Sequence, residues 1–194
     1  MKRNWLIQIA GIIESHKTMV AELQKSGLET IAGAAEAIIK ALKKGQTVYI
    51  CGNGGSAADA QHIASELVNR FENNRRALAA VALTTDSSII TSIANDDSYE
   101  TIFARQAEAL VKKGDIFWAL STSGSSANVL AAVKVARQKG ALVIAFTGRK
   151  NSKLERLADI CFCADNKSTA RSQEIHQLAY HIICKLVEES FIKR

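Results

Sequence analysis

Apolar positions in residues 4–43 recur with helical spacing in two blocks. In the second block Leu28, Ile31, Ala35, Ile38 and Leu42 fall at three- and four-residue steps and share one face, and Lys43-Lys44-Gly45 supplies a C-terminal stop. The first block, Trp5 to Gln24, is apolar on more than one face. So wide an apolar surface needs cover, from a neighbouring subunit or from the chain's own core, and these residues leave both open. After Gly45 the pattern changes to short apolar runs, Thr47–Cys51, Ala79–Leu83, Ile116–Leu120, Leu142–Phe146 and Ile160–Cys163, each reading as a buried strand. Between them, residues 56–71, 87–111 and 126–139 carry helical patterns, and a last helix runs from Ala170 to the neighbourhood of Phe191. This alternation predicts an α/β fold, a doubly wound parallel five-stranded sheet covered on both faces. The expected organisation is one domain over 1–194, with 1–44 a helical hairpin contributing to an oligomer and 45–194 the α/β core and C-terminal helix. In such sheets ligands sit beyond the carboxyl ends of the strands, where the chain turns into a helix.

Composition adds a few exclusions. With 47% hydrophobic and 23% charged residues the chain reads as a globular protein with a core of its own. No apolar stretch approaches the roughly 20 residues of a membrane span, and the amino-terminal run is broken by Gln8 and ended by Glu14, so neither a membrane segment nor a cleaved signal peptide is expected. Cys51, Cys161, Cys163 and Cys184 lie among apolar neighbours and read as buried free thiols in a reducing cytoplasm. Cys161 and Cys163 alternate with Phe162 as strand residues do, and no Cys or His pair at zinc-finger spacing accompanies them. The formal charge of +6 is spread over several segments without interleaved aromatics, which argues against nucleic acid and suits a phosphorylated metabolite.

The chemistry gathers at two strand ends and on one helix face. Cys51-Gly52-Asn53-Gly54-Gly55-Ser56 follows the first strand and Ser121-Thr122-Ser123-Gly124-Ser125-Ser126 the third. Both open helices, where glycines allow close backbone approach and free N–H groups and hydroxyls converge on an anion. Neither a dinucleotide fingerprint nor a P-loop fits, because position 57 is Ala57 and no lysine follows the glycines. In the next helix His62 and Glu66 are four apart and share a face. Such a pair can grip a divalent metal, act as acid and base, or simply bond to each other at the surface. The C-terminal helix adds Gln173, His176, Gln177 and His181, with Gln173, Gln177 and His181 on one face and His176 at its edge. Satisfied core histidines are the alternative there.

These strings, CGNGGSAADAQH with Glu66, TSIAND, STSG with two further serines, and STARSQEIH with a histidine five residues on, resemble the phosphoheptose isomerases of the sugar-isomerase (SIS) superfamily, in order and over nearly the whole chain. The resemblance implies a three-layer, flavodoxin-like sandwich and a cytoplasmic homotetramer with active sites between subunits and one zinc ion at each. Carried over by position, it places the metal ligands on His62, Glu66, Gln173 and His181. It places substrate contacts on Asn53, Gly54, Gly55, Ser56, Glu66, Asn95, Asp96, Ser121, Thr122, Ser123, Ser126 and Gln173, and catalysis on Glu66 and His181. The implied reaction converts sedoheptulose 7-phosphate into D-glycero-D-manno-heptose 7-phosphate through an enediol, feeding lipopolysaccharide-core synthesis. Some members carry an aspartate in the stretch that reads Thr169-Ala170-Arg171 here. A regulatory relative that binds the bacterial replication initiator resembles the chain equally well at Asn69-Arg70-Phe71-Glu72 and Thr84-Thr85-Asp86. It lacks counterparts of Glu66 and His181, and their presence favours the isomerase. A different sugar-phosphate isomerase or sensing module would share the cradle without the Gln173/His181 stripe.

Overall fold

The structure is a computed structural model that describes residues 2–192. Two long helices, α1 (Lys2–Ser26) and α2 (Leu28–Lys43), precede β1 (Val48–Gly52), α3 (Gly55–Val68), β2 (Ala80–Ala82) and α4 (Ser87–Asp96). A 3-10 turn (Tyr99–Thr101) leads into α5 (Ile102–Leu110), β3 (Ile116–Ser121), α6 (Ala127–Gln138), β4 (Leu142–Thr147), α7 (Lys153–Leu157), β5 (Ile160–Cys163) and α8 (Thr169–Glu189). All strand pairings are parallel, in the order β2-β1-β3-β4-β5. The order reverses between β1 and β3, which makes their carboxyl ends the crevice where such folds bind ligands.

The central strands are continuous apolar runs because helices cover both of their faces. One face sends Ile50, Trp118, Ile144 and Phe146 into a core shared with α2, α3 and α8, and the other sends Cys51, Phe117, Ala119 and Val143 against α5 and α6. The expected five strands are all present, but β2 is only three residues long and leaves Val81 exposed, since an edge strand is paired on one side alone. The helix expected over 87–111 is two helices, because Asp97 leaves helical backbone and the Ser98 hydroxyl caps the next turn at Glu100 N. The short α7 was not anticipated by periodicity, although Ser152 and Glu155 form the reciprocal capping box that starts it. All four cysteines are free, as expected, yet only Cys51 and Cys184 are buried. Cys161 and Cys163 are half-buried, because their strand, β5, forms the other edge of the sheet.

Two contacts fix the periphery. After α3 the chain turns over the Glu188 carboxylate, which accepts hydrogen bonds from the backbone N–H groups of Phe71, Glu72 and Asn73 and lies 3.7 Å from the equally buried Arg75 Nε. Arg75 in turn donates to the carbonyl of Glu66. At the other end His16 of α1 bonds Glu174 of α8 at 2.8 Å, and Arg171 bonds both Glu174 and the carbonyl of Ile12. Beyond this clasp α1 leaves Trp5, Leu6, Ile7, Ile9, Ile12 and Ile13 more than half exposed, so the chain's own core does not cover that face.

Candidate active site

The two glycine- and serine-rich loops stand side by side, because Gly52 and Leu120 are register partners at the ends of β1 and β3. Gly54 takes a positive φ of 57° to enter α3, and no side chain caps that helix. Nor does the N-cap residue of α6 bond its helix: the Ser126 hydroxyl lies 3.0 Å from Ser121 Oγ instead, with Ser123 Oγ 3.3 Å from the same atom, and the Val129 N–H of the first turn bonds Asn128 Oδ1. At α3 the Ser56 and Ala57 N–H groups turn back to the carbonyls of Asn53 and Gly54, so the start of α6 and the cluster of hydroxyls beside it form the part of the crevice that suits a phosphate. Thr122 contributes its carbonyl to Gly148 N, and Gly124 turns the loop at a φ of +61°. The Asn53 side chain does not point into open space. Its amide and that of Asn128 exchange hydrogen bonds of 2.8 and 2.9 Å, and the exposed Tyr99 donates to Asn53 Oδ1 at 3.1 Å.

Helices α3 and α8 build the second half of the site along their seam. His62 Nε2 lies 3.0 Å from Glu66 Oε1, as four-residue helical spacing allows. From α8 the His181 ring meets the His62 ring edge to face, centroids 4.9 Å apart. One ligand atom from each of His62, Glu66 and His181 lies within 4.8 Å of the others. His181 Nε2 is buried with no hydrogen-bond partner among the described residues, and two imidazoles with a carboxylate are a donor set zinc accepts. Burial, and secondarily the neighbouring His62, lower the His181 pKa, which favours the neutral, ligating form. Burial also lifts Asp59, one turn before His62, to about 6, against the opposing effects of Tyr180 and His62.

Gln173 sits at the loop end of the seam, where a Cβ on Gly55 would stand 2.5 Å from its Nε2. Only a glycine lets that amide reach the start of α3. Gly55 precedes His62 by about two helical turns, so Gln173 meets α3 at its loop end rather than at the three-residue cluster. His176 is not on the site. It is wholly buried, hydrogen-bonded to the carbonyl of Thr147 at 2.9 Å, and burial lowers its pKa to about 4. Asn95 and Asp96 are exposed at the end of α4 and bonded to each other.

The SIS-domain family pattern matches residues 13–148. Curated phosphoheptose isomerases from Thiobacillus denitrificans (52% identical, 81% of this chain and 82% of the relative) and Aquifex aeolicus (49% identical, 92% of each) align along most of the sequence. A phosphoheptose isomerase structure from Neisseria gonorrhoeae superposes with a TM-score of 0.90 at 38% identity, over 95% of this chain and 99% of that one. The chain belongs to the phosphoheptose isomerase family. As a phosphoheptose isomerase it is an aldose–ketose isomerase, and the initiator-binding alternative gains no support. Of the family positions carried over from the sequence, this phosphoheptose isomerase brings His62, Glu66 and His181 together, and it lines its crevice with Gly54, Ser121, Ser123 and Ser126. Ser56 is buried in the first turn of α3. Three residues beside these groups were not singled out in the sequence. The three-residue step from Asp59 to His62, which shares its face, is the signal that could have found it, whereas Tyr180 and Asn128 carry none, since an aromatic and an amide at helical spacing read as packing.

Proposed function

We propose that this isomerase interconverts sedoheptulose 7-phosphate and D-glycero-D-manno-heptose 7-phosphate, a proton transfer between C1 and C2 that supplies heptose for surface polysaccharide. The meeting of His62, Glu66 and His181 beside the crevice with the hydroxyls at the start of α6 carries the reading, because it sets a ligand and acid–base cluster next to an anion cradle. The cradle at Ser121, Thr122, Ser123 and Ser126 holds the phosphate, and Asn53, Gly54, Gly55 and Ser56 border the chain of the sugar. Asn95 and Asp96, on the outer rim, take its hydroxyls. Anchoring the far end of the substrate turns remote binding into orientation at the reacting carbons.

His62, Glu66 and His181 would hold one zinc ion, with Gln173, whose amide stands over Gly55, as the fourth ligand and a contact for the sugar. When bound, zinc supplies Lewis-acid polarisation of the sugar carbonyl. Glu66 takes the carbon-bound proton at C1 and returns it at C2. Its Oε1 faces His62, while Oε2 makes no hydrogen bond among the described residues and is free to take the proton. His181 moves the proton between the two sugar oxygens.

The same reading extends to assembly and location. The uncovered apolar face of α1 supports a homotetramer with active sites between subunits. Four free thiols suit the cytoplasm, and no helix among the described residues is long and apolar enough to cross a membrane. The test is to incubate purified protein with sedoheptulose 7-phosphate, with and without a chelator, and to analyse the products. Heptose 7-phosphate that appears only with metal is the expected result, and no product under either condition overturns the reading.

A further inference from the structure

Behind the metal-type cluster lies a second set of groups that the reaction itself does not call on. Tyr180 is fully buried, its hydroxyl 3.0 Å from His62 Nδ1 and 3.4 Å from Asp59 Oδ1. A phenol has one hydrogen to give. Of these two neighbours the carboxylate is the one that only accepts, so the hydroxyl donates to Asp59 and accepts from His62 Nδ1–H. With its proton on Nδ1, His62 presents a bare lone pair at Nε2, and that atom stands 3.0 Å from a second acceptor, Glu66 Oε1. Two acceptors facing at that distance repel each other unless something positive is shared between them. Asp59 Oδ2 is buried and has no hydrogen-bond partner among the described residues, so no competing donor draws the carboxylate away from Tyr180.

We propose that Tyr180, backed by Asp59, is a positioning residue that fixes the tautomer and ring orientation of His62, so that Nε2 points at a divalent cation shared with Glu66 and His181. The proposal rests on the metal reading above and adds an outer layer to it. Histidine ligands generally give their second N–H to a carboxylate or carbonyl. Here a tyrosine from the helix carrying His181 is interposed, and it ties the ligands of α3 and α8 into one unit. The Tyr180 ring also packs edge to face on His181, with centroids 4.8 Å apart, so both imidazoles lean on the same side chain.

Tyr180→Phe keeps the ring and removes only the hydroxyl. Metal-free wild type and variant are titrated with zinc alone against a chelating dye. The variant is expected to bind zinc about 10- to 100-fold more weakly, the usual cost of losing an outer partner of a ligand. The cobalt(II)-loaded proteins are compared by visible absorption, and the ligand-field bands of the variant are expected to shift, a signature that a purely structural hydroxyl would not move. Asp59→Asn keeps the shape and an acceptor oxygen but removes the charge, and it is expected to weaken zinc by a smaller factor even where Tyr180→Phe disturbs packing. Zinc affinity and cobalt spectra equal to wild type in both variants overturn the proposal. A wild type that takes up neither metal overturns the metal reading itself, and the relay with it.

Discussion

In the proposed reaction Glu66 would touch a cation and carry a proton, and only its Oε1 is engaged, by His62. Glu66→Gln keeps the shape and removes the base, so turnover is expected to fall about 10²- to 10⁴-fold while the melting profile of the metal-free protein stays near wild type. Near-normal product formation would remove Glu66 from the chemistry. His176 makes a different point, because it is a histidine of the core whose pKa burial lowers to about 4. The unfolded chain protonates that imidazole from about 6.5 downward. The folded state resists protonation until about 4. Its contribution to stability is therefore present above the unfolded value and is lost as pH falls through that window, by about 1.4 kcal/mol per unit. Asp59, lifted to about 6, acts with the opposite sign over part of the same range. The measurement is thus a difference: denaturant midpoints of wild type and His176→Gln at pH 7, 6 and 5, with the gap narrowing as pH falls. A gap independent of pH would sink the assignment.

At the level of elements, the site depends on ties between segments far apart in sequence. The reciprocal amide pair of Asn53 and Asn128 locks the loop after β1 to the start of α6. Asn128→Ala is expected to raise KM for the phosphosugar several-fold more than it lowers kcat, since the loops lose register while Glu66 keeps its place. Equal effects on both parameters would mean the pair supports the fold alone. Glu188 ties the end of α8 to the turn after α3, and both it and its Arg75 partner are buried. Glu188→Gln leaves that guanidinium without its counter-charge and is expected to cost about 3–5 kcal/mol, read by chemical denaturation.

Such ties also show what sequence alone can yield. The five strand runs were legible because burial on both faces makes a strand continuously apolar. The His62/Glu66 pair was legible because four residues make a turn. That His181 closes on them came from the family resemblance alone and not from the spacing of residues. Periodicity assigns a side chain to a face, and only the sheet order decides what that face meets. The break at Asp97-Ser98 was hidden for a related reason: apolar spacing runs straight through it, and a single capping hydroxyl decides the matter.

On the scale of the whole molecule, the apolar face of α1 is the largest feature the single chain leaves unresolved. If copies of the chain meet there, Ile9→Glu with Ile13→Glu is expected to lower the mass seen by light scattering while far-ultraviolet circular dichroism stays unchanged. An unaltered mass would place the subunit contact elsewhere. The clasp between His16, Glu174 and Arg171 gives this surface a reach beyond assembly. It fastens the helix on which neighbouring subunits would pull to α8, which bears Gln173, Tyr180 and His181. In the proposed oligomer, contacts on α1 would brace the geometry of the reacting groups through this clasp, and specific activity is then expected to decline on dilution to concentrations at which the mass seen by light scattering falls.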